Sequence, residues 1–78
     1  MKKFVDLVML DRLHQLIRLK ATGPPDRLAA RLEISPSTLH ETISYMQKVL
    51  LAPIRYNKYM QSYEYEYLPD FHLSFEKS

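Results

Sequence analysis

Between Phe4 and about Leu19 the apolar residues Leu7, Val8, Leu10, Leu13, Leu16 and Ile17 recur at three- and four-residue spacing, with Asp6, Asp11, Arg12, Gln15 and Arg18 among them. That period predicts an amphipathic helix with a broad apolar stripe. Ala21-Thr-Gly-Pro-Pro25 is expected to end it, because Gly23 can take a positive φ and two prolines cannot continue a helical ladder. A second helix is predicted from about Pro25 to Leu32, with Leu28, Ala29 and Leu32 on one face. A third runs from Pro36 to about Leu50, with Leu39, Ile43, Met46 and Leu50 at helical spacing. In the three-residue turn between them Ile34 plugs the core and Ser35 stands as N-cap. Pro36 follows at the first helical position, where its missing N–H costs nothing.

After Ala52-Pro53 the period changes to two. Ile54 and Tyr56 alternate with Arg55, and Tyr63, Tyr65 and Tyr67 alternate with Ser62, Glu64 and Glu66. Two strands are predicted, the tyrosines of the second packing on the helices, with Asn57 to Gln61 as a glycine-free hairpin loop. Leu68-Pro69-Asp70 reads as a turn, and Phe71, Leu73 and Phe75 alternate with His72, Ser74 and Glu76 in a last strand. The expectation is a mainly α fold with a small antiparallel sheet, a three-helix winged helix-turn-helix. It occupies one domain, residues 1–78, with its core in residues 4–76.

At 78 residues the chain is near the lower limit for an unassisted core, burying about 60% of the surface its unfolded form exposes. Without cysteine there is neither a disulfide framework nor a thiolate metal site, which suits a reducing compartment. Met-Lys-Lys-Phe-Val-Asp begins like an export signal, yet Asp6, Asp11 and Arg12 interrupt the apolar run, and no stretch approaches 18 apolar residues. A cytoplasmic protein that does not enter a membrane is expected.

The net charge is only +2. Its distribution is more telling. Residues 1–34 carry seven basic side chains against four acidic ones, whereas residues 59–76 carry four acids and no base. Only the basic end suits a polyanionic partner.

Arg27-Leu-Ala-Ala-Arg-Leu-Glu-Ile-Ser35, then Thr38-Leu39 and Ile43, then Ala52-Pro-Ile-Arg-Tyr56 and an aromatic strand, resemble the amino-terminal helix-turn-helix domains of DeoR-type and BirA-type bacterial regulators and their small stand-alone forms. The resemblance spans residues 10–67. It implies a DNA-binding regulator whose third helix enters the major groove, with Thr38 facing DNA and Pro53-Ile54 at the start of the wing. The chain departs from that pattern at Pro36 and Ser37, where arginine commonly follows the cap, at His40 and Glu41, and at Glu33, where glycine is frequent. A carboxylate in the groove accepts from cytosine N4 but repels phosphates, and the lost arginines are the usual guanine readers.

On the DNA reading, Ser35, Ser37 and Thr38 reach phosphates or base edges, His40, Glu41 and Ser44 face the groove, and Lys48 meets the backbone. Arg27 and Arg31, four apart on helix two, contact phosphates, and Arg55 and Lys58 add a wing contact. The alternative is a solvated surface on a protein-interaction domain that keeps the fold and does not read DNA. For that reading the candidate interface is Leu7, Val8, Tyr59, Met60 and Phe71, with an edge strand open to a partner. One such domain covers one half-site, so DNA binding implies a homodimer. His14, His40 and His72 fall on different predicted elements and Ser35-Pro-Ser-Thr38 lacks a base, so no catalytic residue, metal site or cofactor is expected.

Overall fold

The computed structural model describes residues 7–69. Within them the element order is α1 (Leu7–Arg18), α2 (Pro25–Leu32), α3 (Pro36–Lys48), β1 (Ile54–Asn57) and β2 (Ser62–Tyr65). Three helices followed by a two-stranded antiparallel hairpin give the mainly helical layout of a three-helix winged helix-turn-helix. The expected strand Phe71–Phe75 and the first turn of helix one, Phe4 to Asp6, lie outside the described residues.

One apolar cluster joins every element. Leu10, Leu13 and Ile17 of α1 meet Leu28, Ala29 and Leu32 of α2, Leu39, Ile43 and Met46 of α3, and Ala52, Ile54 and Tyr65 of the hairpin, all buried. Met9, Leu16, Ile34 and Leu50 close its edges. Apart from Leu7 and Val8 at the start of α1, the stripes predicted from the sequence therefore point inward. Most of the apolar excess of helix one is used within the chain, with Leu7 at its border and Val8 70% exposed.

The helix ends depart from expectation. Lys20, not Gly23, stops α1: it takes φ 55°, its N–H donates to the Ile17 carbonyl, and the Ala21 N–H donates to that of Leu16. These are the two bonds of a Schellman cap built on a lysine. Gly23, at φ 77°, instead redirects the chain into Pro24-Pro25. Glu33 repeats the Lys20 device after α2, with φ 59° and its N–H and that of Ile34 closing on Ala30 and Ala29. At α3 the Ser35 Oγ accepts from the Thr38 N–H at 3.0 Å, with Pro36 next, as the sequence predicts.

In the hairpin Ile54 pairs with Tyr65, Arg55 with Glu64, Tyr56 with Tyr63 and Asn57 with Ser62. The loop is one residue shorter than expected, and Asn57 builds it: its Oδ1 accepts from the Tyr59 and Met60 N–H groups, while Gln61 takes the left-handed conformation at φ 52°. Tyr65 faces the core and Tyr63 is half-buried, its rings meeting Tyr56 edge-on at 5.1 Å. Burial and the neighbouring Tyr56 push the Tyr63 hydroxyl pKa up. Tyr67 lies beyond β2 and is exposed, so it does not pack as the alternation predicts.

Two polar residues of the outer face, Ser62 and Glu64, are buried against expectation. The α1–α2 connection crosses that face at Thr22. The Thr22 N–H donates to Ser62 Oγ (3.0 Å), the two hydroxyls meet at 3.1 Å, and the Tyr63 N–H donates to Thr22 Oγ1 (2.9 Å). From α1, His14 Nδ1 lies 2.8 Å from the Tyr65 hydroxyl. Gln47 Nε2 of α3 donates to the Ile54 carbonyl at 3.1 Å. The hairpin is thus fixed to α1, the connection and α3 by polar bonds as well as by the core.

Candidate nucleic-acid interface

The three core residues of α3, Leu39, Ile43 and Met46, leave the opposite side of the helix to polar residues. At about 100° per residue, Ser37, His40, Glu41, Ser44 and Lys48 fall within one arc of about 100° on that side. All but the half-buried Ser44 are exposed. The sequence-predicted groove residues therefore share one surface. It offers two hydroxyls, an imidazole, one carboxylate and one ammonium, a set able to exchange hydrogen bonds with base edges but carrying little net charge.

Ser35 and Thr38 are partly committed to each other. Ser35 Oγ donates to Thr38 Oγ1 at 3.0 Å while accepting from the Thr38 N–H. The Thr38 hydroxyl proton remains available at an exposed position, and the Thr38 carbonyl accepts from Thr42 Oγ1 at 2.8 Å. The cap thus fixes the start of the helix and presents one hydroxyl outward.

The cations divide between surfaces. Arg27 and Arg31 do share the exposed side of α2, and Arg31 Nη1 donates to the Ala21 carbonyl at 3.0 Å. Both line an open groove of about 600 Å³ between α2, the α1–α2 connection and the hairpin tip, together with Lys20, Met60 and Gln61. No α3 residue lines it. Sequence reasoning missed Lys20 and Gln61. Both are left-handed residues without glycine's signature, and their meeting depends on the pairing of Thr22 with Ser62, 40 positions away.

Arg55 is engaged. Its Nε donates to Glu64 Oε2 at 2.8 Å across the strands, and Asn57 Nδ2 donates to Oε1 at 3.2 Å. These two bonds, with the nearby Lys20 charge, hold the Glu64 carboxyl below the usual carboxylate range despite its burial. Lys58 is exposed in the hairpin loop without a partner among the described residues.

Of the candidate protein-contact residues, Tyr59 is wholly exposed, Met60 and Val8 are largely so, and Leu7 is at the margin. Phe71 lies outside the described residues. Val49, Leu51 and Leu68, none of them among the predicted contact residues, and Tyr67, expected to pack on the helices, are exposed on the chain flanking the open end of the hairpin. Among the described residues no group of three or more His, Cys, Asp or Glu side chains gathers to hold a metal ion, and no helix is long and apolar enough to cross a membrane. Comparison with protein-family models, curated proteins and solved structures finds no match to this chain.

Proposed function

We propose that this chain binds double-stranded DNA as a small cytoplasmic regulator, or as the DNA-binding part of an assembly, with α3 in the major groove. The observation that carries this reading is the polar stripe Ser37, His40, Glu41, Ser44 and Lys48, set opposite the buried face of a capped helix that follows α2 through a three-residue turn. The likeness of residues 10–67 to DeoR-type and BirA-type domains is part of the same reading. The activity is occupancy of a short site, with no chemical step. A homodimer would place two such helices on two half-sites.

A protein-contact role is the second reading, favoured by the exposed Tyr59, Leu51, Tyr67 and Leu68. Fluorescence anisotropy with labelled duplexes distinguishes the two. On the DNA reading Lys48→Gln weakens binding, while Glu41→Ala leaves folding intact and strengthens non-specific binding by removing a charge that repels phosphates. Duplex binding unchanged in both variants would remove α3 from the contact surface, and no duplex binding by the wild type would leave the protein-contact reading.

A further inference from the structure

The groove beside α2 is lined by charges of one sign. Three cations line it, Lys20 from the end of α1 and Arg27 and Arg31 from α2, and no carboxylate does. None of the three forms an ion pair among the described residues. The carboxylate that feels the Lys20 charge, Glu64, is already held by Arg55 and Asn57. Three like charges gathered around one concavity repel one another, a cost that an anion bound among them would offset.

The remaining wall is largely apolar: Ala21, Pro24, Ala30 and the side of the half-exposed Met60. A volume of about 600 Å³ exceeds what an inorganic anion fills and lies within the range of small-molecule sites. The fold fixes the backbone that carries the cations. Lys20 is set by the Schellman cap, Arg31 is tethered to the Ala21 carbonyl, and the connection beneath them is pinned to β2 through Thr22 and Ser62. The backbone of the site is thereby preorganised, and the Lys20 and Arg27 side chains are left for a ligand to order.

We propose that this groove is a binding site for a small organic phosphate, a phosphomonoester whose dianionic head meets Lys20, Arg27 and Arg31 and whose organic body lies against Ala21, Pro24, Ala30 and Met60. The guanidinium groups supply paired donors for phosphate oxygens and Lys20 a point charge. This inference stands apart from the DNA reading. If that reading also holds, the ligand and the phosphate backbone compete for Arg27 and Arg31, and the groove becomes a place where a metabolite lowers DNA affinity.

The test is amide chemical-shift titration of the full chain with adenosine 5′-monophosphate and glucose 6-phosphate, beside adenosine, inorganic phosphate and a short duplex. At least one ester is expected to give saturable shifts confined to residues 20–23, 27–31 and 60–61, with half-saturation at or below about 1 mM. Adenosine gives none, and inorganic phosphate binds more weakly. The double variant Lys20→Gln, Arg27→Gln, checked for an otherwise unchanged amide spectrum, weakens the ester by on the order of tenfold or more. No saturable shift with either ester overturns the proposal, as does equal binding of ester and inorganic phosphate, or ester binding indifferent to the double variant. Shifts of these amides by the duplex, with none by the esters, overturn it and assign the groove to the nucleic-acid backbone.

Discussion

The hydroxyls of Thr22 and Ser62, 40 positions apart in the chain, meet at 3.1 Å with both residues buried. Their oxygens also accept from the Tyr63 and Thr22 N–H groups, and their two protons are divided among the Gly23 carbonyl, the Tyr63 carbonyl and the contact between the hydroxyls, one of them lying in that contact when the other meets a carbonyl. The pair does for the α1–α2 connection what a short third strand would do, holding it to the outer face of the hairpin. Thr22→Val or Ser62→Ala leaves a buried N–H without its acceptor, and each is expected to cost about 1–3 kcal/mol in urea unfolding. The double variant should cost less than the sum of the two, because both singles break the same network. Full additivity would show that the hydroxyls act independently.

Glu33 occupies a left-handed position that favours glycine. Glu33→Gly relieves that backbone and is expected to stabilise the domain by about 0.5–1 kcal/mol, whereas Ile43→Ala, in the core face of the adjoining helix, should cost about 2–5 kcal/mol. Denaturant midpoints at constant slope measure both. A loss of stability in Glu33→Gly would mean that its side chain contributes more than the strain it imposes.

The Arg55 and Asn57 bonds to Glu64 make stability depend on acid pH. Because the carboxyl is held below its ordinary pKa, its contribution is complete above the usual carboxylate range and is lost as pH falls through the lowered value. Wild-type Tm should therefore fall in acid more steeply than that of Glu64→Gln, which lacks this titration and starts lower near neutral pH. Parallel Tm profiles would contradict this.

Much of the fold is legible locally. The apolar periods of α1 to α3, the Ser35-Pro36 cap and the change of period at Pro53 place the helices and the hairpin, because each depends on neighbours within a few positions. What escapes is what depends on distant partners. Ser62 and Glu64 read as an outward polar face, yet Thr22 covers the first, and Arg55 and Asn57 enclose the second. Gly23 is the residue that marks a helix stop in the sequence, but the cap forms on Lys20, a residue with no such signature, and this brings Lys20 to Arg27 and Arg31. The α3 stripe is readable from helical spacing alone, whereas the meeting of Arg27 and Arg31 with Met60 and Gln61 requires the hairpin to be in place.

Self-association is expected through the exposed start of α1, where Val8 is 70% exposed. Sedimentation equilibrium at micromolar concentration should give a dimer that Val8→Asp abolishes and Met60→Asp retains. A mass of 9.3 kDa at all concentrations would contradict it.

The central claim, that the chain occupies duplex DNA, is tested most directly by the salt dependence of wild-type binding. With Arg27, Arg31, Lys48 and Lys58 supplying the phosphate contacts, log affinity is predicted to fall against log salt with a slope of about −3 to −4 per monomer between about 50 and 200 mM. Absence of binding at tens of micromolar protein even at the lowest salt would contradict the claim.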